Sequence, residues 1–541
     1  MEVPADVCHE TTDNAGETLG GAVVASVLAV TAAACSSGSG AAAPAAEKSY
    51  AVGVTSYFLS HFTPGKSIGS NLDYALFTPL TSVDTATGKA VNAMAESIES
   101  ADNTTWTIKL KPGWTFHNGE EVTAQSFADS WNATAYGPNA FTNNYMFAAF
   151  KGYADLNPAD GKPSKKTLSG IEVADRSTLK VTLTKPLSLL PYVLAQTTFA
   201  PMPKAAFSDL DGFDRKPIGN GPYRLEGDGL AAGATKVVLR KFEGYKGQPG
   251  NAARIEAKSY QDEAAAYRDL QAGNVDVTLV TGNNLTNAAT QFKDRLVRVP
   301  FPAVVYLGFP LWDKRFSDLR VRQAFSQAVD RDTIVKSLLR GFGQPAKGLA
   351  GPNIPGGGDA DCAACSFDPA RAKALLAEAG GWKGPLTLWT YQDPLNTVLL
   401  EAVGNQLRAN LGIETVTTQA QPVDQLYPNL TAKKIDGPVL LYMGAGYPHL
   451  YALADQLFTK GSGTNVTGYD DPKFAALRDR AASAGQDEAF GLTREATRTA
   501  LDGLPLSPLF QPVGGLAHST RVSGVRPEFL GGAVLAAVKV G

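Results

Sequence analysis

Cysteine is scarce in this sequence, with four among 541 residues, and there are only five histidines. A structural zinc site draws on about four Cys or His ligands held together. Cys362 and Cys365 are the only two cysteines close in sequence, and no further Cys or His stands near them to complete a set. An excess of one charge is also missing. Lys and Arg number 49 against 52 Asp and Glu, for a formal net charge of −3. Spread along the chain, that balance gives no basic face for nucleic acid and no polybasic membrane anchor. Beyond Ala34 no stretch approaches the ~20 apolar residues of a spanning helix. No G-x-x-x-x-G-K-[ST] occurs, which excludes a P-loop ATPase. The remaining composition, 44% hydrophobic and 19% charged, is that of a globular protein. The length calls for two or three lobes rather than one core.

The N-terminus is a separate case. Gly20 to Ala34, GGAVVASVLAVTAAA, has about the length of a secretory apolar segment and ends in small residues before Cys35. Small residues running into a cysteine resemble a lipobox, so Cys35 is expected to be lipidated, with residues 1–35 as leader. Residues 36–48, Gly/Ala/Ser-rich, read as a flexible tether reaching on the order of 20 Å. Two features depart from the pattern. Ala32 stands where lipoboxes usually carry Leu, and Met1 to Leu19 holds Glu2, Asp6, Glu10, Asp13 and Glu17 with no Lys or Arg. The sign is wrong for an n-region, so the segment before Leu19 is expected to be foreign to the working signal.

The most ordered stretch runs from Val304 to Gly343. Val304 to Phe309 is a branched and aromatic run suited to a buried strand. A helix is expected from Ser317 or Asp318, with Val321, Ala324, Phe325 and Ala328 on one apolar face and Arg320, Arg322 and Gln323 pointing elsewhere. Asp332 is expected to cap a second helix that Gly341 stops.

Further along, Tyr50 to Tyr57 should be the first strand and Leu72 to Leu80 a helix. Trp106 to Leu110, Ile171 to Val173 and Leu179 to Leu183 read as strands, and Ala124 to Ala133 as a helix capped by Thr123. Tyr223 to Glu226 pairs plausibly with Lys236 to Arg240. Glu263 to Leu270 is helical and Val275 to Leu279 a strand. Later, Leu386 to Thr390, Ile413 to Val416 and Val439 to Tyr442 read as strands around a helix from Asn396 to Asn410, an α/β alternation. Helices over Asp471 to Ala482 and on through Leu501 precede a return strand, Leu504 to Phe510.

Five blocks carry a family resemblance. They are His117-Asn118-Gly119-Glu120-Glu121-Val122-Thr123-Ala124; Pro217 to Tyr223; Leu270 to Asp276; Tyr306 to Arg331, with its Asp318-Leu319-Arg320-Val321-Arg322-Gln323-Ala324 centre; and Phe367 to Leu376. In this order they resemble the peptide/nickel-type (family 5) extracytoplasmic solute-binding proteins of ABC importers. The resemblance implies an α/β, bilobal, periplasmic-binding-protein-like fold of type II, with an extra small domain and a hinge of two crossing segments. It implies a first lobe from 49–80, 196–308 and 510–541, a small domain over 81–195 and a second lobe over 309–509. It also implies a monomer without cofactor or catalysis, anchored outside the cytoplasm by its lipid alone. Such a protein delivers a small solute, peptide or peptide-like, to a permease and its ATPase. A neutral metabolite or oligosaccharide, or a sensing role, is the alternative within the same fold.

For the ligand the resemblance points to the loop after the first strand, with His61 and Phe62, and to Tyr442 to Leu450. In peptide-binding members the latter loop carries a Trp-x-x-Asp pattern whose carboxylate pairs with the ligand's ammonium group. Met443 and Gly446 occupy those positions here. The other candidates are aromatic or neutral: Trp389, Tyr442, Tyr447, His449 and Phe510. His117 and Asn118 are expected to be structural. For Cys362 and Cys365 a local disulfide is the plain reading in an exported protein. A redox pair would sit at a helix start after a strand, yet a Gly-rich loop precedes this one. The enzyme alternative rests on Gly65-Lys66-Ser67-Ile68-Gly69, which matches G-x-S-x-G, with His518 late in the chain. A hydrolase elbow needs several strands before the serine, and one is expected here.

Overall fold

One strand, Leu506–His518, organises the sheet. At roughly 3.4 Å per residue its thirteen residues reach about 44 Å. Its first half pairs antiparallel with Ala303–Gly308, from Gly308 opposite Leu506 to Val305 opposite Phe510. Its second half pairs with Val277–Val280 and with Leu296–Pro300. Nearly every residue along it is buried. The polypeptide crosses here twice: Leu296–Pro300 and Ala303–Gly308 run along one direction, and Leu506–His518 returns along the other.

The computed structural model describes residues 47–541 apart from 68–69, 85–86, 228, 231–233, 359–361 and 530. The leader, Cys35 and nearly all of the expected tether lie outside the described residues. On one side of the crossing, the first-lobe half holds Val277–Val280, Ser49–Thr55, Arg254–Tyr260, Lys236–Lys241 and Tyr223–Glu226 in that order. Ser49–Thr55 runs parallel to both of its neighbours. On the other side stand Ala303–Gly308, Val439–Gly444, Leu386–Tyr391 and Val416–Gln421. A separate four-stranded antiparallel sheet, built from Ala95–Ser100, Thr105–Leu110, Thr178–Thr182 and Ile171–Val173, forms the small domain. Its core gathers Phe127, Trp131, Phe147, Phe150 and Phe199, rings meeting edge to face around Trp131.

Two of the sequence blocks explain each other. His117 Nδ1 accepts from Gly219 N at 3.1 Å, and His117 Nε2–H donates to Gly221 O at 3.1 Å. One nitrogen accepts and the other donates, so the ring must be neutral. Burial agrees, depressing its pKa to about 4. The glycines let the turn lie on the helix Asn71–Leu76: a Cβ at Gly219 would stand 1.9 Å from Leu76 O. The expected structural role of His117 has this physical form.

Several elements differ from the sequence reading. The helix after the crossing is Leu319–Gln327, with Asp318 accepting from Arg320 N as its cap. Val321, Ala324, Phe325 and Ala328 are buried as expected. Arg322, however, is buried too, and its guanidinium donates to Phe316 O, Ser317 O, Gly503 O and Leu504 O. The next turn is capped by Asp330, whose side chain accepts from Thr333 N, rather than by Asp332. It continues as a π-helical turn, Ile334–Leu338. The first helix stops at Leu76, because Asn220 takes over the next backbone groups at Thr78. The edge strand is Val416–Gln421 instead of Ile413 to Val416. Ala303–Gly308, expected at the end of the first lobe, pairs with the second-lobe strand Val439–Gly444. The small domain also touches the second lobe: Ser188 N donates to Ala482 O at 2.7 Å, and Asn103 Nδ2 to Ser483 O at 2.8 Å. Residues 47–541 form one compact unit.

Candidate functional site

The strands fix where a ligand can sit. Ser49–Thr55 and Val277–Val280 end beside the crossing strand, with Val280 opposite Gly515. In the second lobe Leu386–Tyr391 and Val439–Gly444 run parallel to each other, and Gly444 stands opposite Ala303, the first residue after the crossing. The carboxyl ends of both sets of parallel strands therefore meet at the hinge, where open α/β sheets hold ligands.

On the first-lobe side a pocket of about 600 Å³, its solvent mouth included, opens at those strand ends. Its walls are apolar at Val54, Phe58, Leu279 and Leu516 and acidic at Glu263 and Glu528. Glu263 opens the helix Glu263–Gln271, and its carboxylate accepts a hydrogen bond from Thr281 Oγ1. Glu528 Oε2 is buried and has no hydrogen-bond partner among the described residues. Burial pushes the Glu528 carboxyl well up, and the charge of Asp73 adds to it.

On the second-lobe side Tyr442 is exposed at the end of its strand. Burial of its hydroxyl raises its pKa and Tyr391 raises it further; Tyr427 is likewise raised by burial first and by Tyr391 second. Leu395, Val398 and Val423, from the adjoining helices Pro394–Leu411 and Val423–Thr431, are exposed apolar residues of this lobe. Gly446 follows in an exposed loop, and a Cβ there would meet only Gln456 Nε2, at 3.2 Å.

The expected site residues fall in several places. His61 Nδ1 donates to Asp214 Oδ2 at 2.6 Å, while Phe62 N and Thr63 N donate to Asp214 Oδ1. Burial works to raise Asp214, and the hydrogen bonds from His61 and Thr63 outweigh it, leaving the carboxyl below its ordinary range. The trio pins the loop after the first strand. Phe62 is fully buried in the first-lobe core, and Phe510 is buried in the crossing strand. Trp389 stands opposite Val439, away from the hinge end, with its Nε1 donating to Asp436 Oδ1 at 3.2 Å. Met443 is buried. Tyr447 packs against the cores of both the second lobe and the small domain. His449 is fully buried: its Nδ1 accepts from Tyr451 N to cap the helix Leu450–Phe458. Its ring lies between Tyr192 and Phe490, and burial depresses its pKa to about 3. Tyr442 and Gly446 are thus the candidates that face outward on the second-lobe side.

Sequence reasoning missed Glu263, Glu528 and Tyr391. Tyr391 lies two residues beyond Trp389 on the same strand face, a period-two signal that was available. No local signal marks Glu528. Cys362 and Cys365 are joined by a disulfide, as expected, in a loop remote from these strand ends in sequence.

Known proteins align with this arrangement. A protein of Brucella ovis named as an ABC transporter peptide-binding protein is 30% identical over 353 residues, covering 63% of this chain and 62% of the relative. The dipeptide-binding protein of Escherichia coli is 27% identical over 351 residues, covering 62% of this chain and 64% of its own. The aligned region thus spans less than two thirds of these relatives' length. Among solved structures, the unliganded open form of the periplasmic murein tripeptide binding protein MppA superposes with a TM-score of 0.79 at 21% identity, covering 92% of this chain and 98% of that one. The model of the bacterial extracellular solute-binding proteins, family 5 Middle, matches residues 89–465, well over half of the sequence. Bilobal, doubly crossed and matched over that span, the chain belongs to the family 5 bacterial extracellular solute-binding proteins.

Proposed function

We propose that the protein is the substrate-binding component of an ABC importer, capturing a peptide or peptide-like solute between its lobes and presenting it to a membrane permease and its ATPase. The observation that carries this reading is the paired crossing. Two lobes joined by Leu296–Gly308 and Leu506–His518 can close on a ligand by bending at two adjacent strands. The lobes change over between Pro300 and Ala303 and again near Gln511. The names of the aligned relatives supply the solute class and the importer. Binding without chemistry is supported by the serine of the G-x-S-x-G match: Ser67 Oγ donates to Asp73 Oδ2 at 2.5 Å, and His518 Nδ1–H donates to Ser519 O. The protein acts as a monomer held to the membrane by lipid on Cys35. A Cys35→Ser variant should leave the membrane fraction, and an unchanged distribution overturns the anchor.

The solute class is tested by calorimetry of the purified full chain with pools of random di- to pentapeptides. Saturable binding of at least one pool is expected. Absence of binding by all of them, together with a non-peptide metabolite recovered by native mass spectrometry, overturns the peptide reading. A neutral ligand is the second reading, favoured by Gly446 standing where peptide-binding members carry an acid.

A further inference from the structure

The pocket at the ends of Ser49–Thr55 and Val277–Val280 has a chemistry that the fold does not require. Two carboxyls line it, Glu263 and Glu528, and among its described lining residues there is no Lys, Arg or His. A third, Asp73, lies behind them, near enough for its charge to act on Glu528. Asp73 Oδ2 accepts from Ser67 Oγ and Ser70 N, while its Oδ1 has no partner among the described residues. Two carboxyl oxygens, Glu528 Oε2 and Asp73 Oδ1, are therefore buried and unsatisfied by any described residue. Buried acceptors without donors are costly and uncommon.

Glu528 is also held in place. Its N–H donates to Gly532 O at 2.7 Å, and Gly531 N–H donates to its carbonyl at 3.0 Å, closing a tight turn. Gly531 has a φ of +103°, and a Cβ there would stand 2.3 Å from Phe301, which with Pro302 links Leu296–Pro300 to Ala303–Gly308. Phe529, next to Glu528, packs against the second-lobe core. The turn is thus fastened to the hinge itself. Apolar walls at Val54, Phe58, Leu279 and Leu516 complete a cavity with a hydrocarbon side and an acidic end.

We propose that this pocket is the ammonium subsite of the cleft: Glu528, backed by Glu263, receives a primary ammonium group of the bound peptide, with the carbon stem against Val54, Phe58 and Leu516. The proposal rests on the peptide reading above. An ammonium brings three N–H donors and no acceptor, which suits a pocket lined by two carboxyls and by no cationic side chain among its described residues. While the pocket is empty, burial holds Glu528 toward its neutral form, and the arriving cation supplies the charge that lets it ionise. The acid absent at Gly446 on the second lobe is in this way replaced from the first. The ammonium is either the amino end of the peptide or a lysine side chain.

Three pools of random tripeptides separate these cases by competition calorimetry on the full chain: lysine-free with a free amino end, lysine-free and N-acetylated, and N-acetylated with one fixed lysine. The parent protein should prefer the free pool over the acetylated lysine-free pool by at least about 30-fold, the lower range for losing one member of a buried charge pair. In Glu528→Gln that ratio should collapse toward one, and in Glu263→Gln it should fall partway. The amide is isosteric with the protonated carboxyl, so the Gln variants are expected to fold. Recovery of affinity by the acetylated lysine pool assigns the subsite to a side-chain ammonium; no recovery assigns it to the amino end. Binding of all pools without discrimination overturns the subsite while the peptide reading stands. A preference that survives in the Glu263→Gln/Glu528→Gln double variant does the same. Binding of no pool overturns the peptide reading, and the subsite with it.

Discussion

Removing the Arg331 guanidinium should detach the helical layer from the crossing strand. Arg331 is 4% exposed and faces no carboxylate. Its five donors go instead to Pro508 O at 2.7 Å, Ser326 O at 3.0 Å, Val329 O at 3.1 Å, Ser326 Oγ at 2.9 Å and Ser507 Oγ at 2.7 Å. Burial lowers its pKa to about 10, which leaves it charged at neutral pH. In Arg331→Met the hydroxyls of Ser326 and Ser507 still bond each other. Pro508 O and Val329 O lose this donor, at about 1–3 kcal/mol each, while Ser326 O keeps the backbone N–H groups of Ala328 and Val329. Release of a buried charge offsets part of that, so a net loss of about 2–5 kcal/mol is expected. Arg331→Lys keeps the charge but offers three donors on one nitrogen in place of a planar fork, and should cost less than Met. Urea unfolding followed by tryptophan fluorescence reads both as midpoint shifts at constant slope. A Met variant within about 1 kcal/mol of the parent, or a Lys variant less stable than Met, would refute the view that these carbonyls depend on Arg331.

Acid should destabilise the fold through its buried histidines. His117 and His449 have folded pKa values of about 4 and about 3 against an ordinary 6.5. The unfolded chain therefore binds more protons in that window, and stability falls as pH drops from about 7 toward 3. Asp73, raised to about 7, acts oppositely: its contribution is complete below an ordinary carboxyl pKa and is lost as pH rises through 7. Urea midpoints taken across this range should show a shallower acid slope in His117→Gln, and an unchanged slope would count against the assignment. The Cys362→Ser/Cys365→Ser double variant should lose only about 1–3 kcal/mol, because the loop closed is short, and should keep its ligand affinity. Loss of affinity with stability retained would indicate a functional thiol pair. Gly219→Ala places a methyl 1.9 Å from Leu76 O and should cost about 3 kcal/mol or more, read as a lower melting temperature or loss of soluble protein. Gly446→Asp should fold, since its Cβ meets only the flexible Gln456 amide, and should widen the parent's preference for free-amino over acetylated peptides by a further ~0.5–1 kcal/mol at this exposed position. No gain in calorimetry would mean the loop does not face the ligand's amino end.

What the sequence made visible were features whose causes are local. The apolar period at Val321, Ala324, Phe325 and Ala328 and the C-A-A-C loop need only neighbours to be understood. Arg322 reads as pointing away from the core because its acceptors, the carbonyls of Gly503 and Leu504, lie far along the chain. Asp330 and Asp332 are equivalent capping residues by type, and only the backbone decides between them. Val416–Gln421 is a polar edge strand, so hydrophobic patterning placed the element too early. The same limit hid the acidic pocket. Glu263 looks like an ordinary first-turn acid of a helix, and Glu528 sits in a segment without periodicity, so only the folded sheet puts them in one cavity. His449 shows the converse: a histidine in a Gly/Tyr-rich loop suggests a ligand contact, whereas Tyr192 of the small domain covers it.

Leu506–His518 also sets an order of assembly. The strand that lies between Val277–Val280 and Ala303–Gly308 leaves the ribosome after every strand it pairs with, since synthesis proceeds from the N-terminus. Until it arrives, Ser49–Thr55 and Val277–Val280 form a sheet with an unpaired edge, and Leu296–Pro300 has no partner strand at all. A nascent chain ending before residue 506 should therefore remain loosely folded, with its two half-sheets incomplete. Late delivery of the central strand keeps the polypeptide threadable until residues 506–518 emerge, and only then does one segment close both lobes at once.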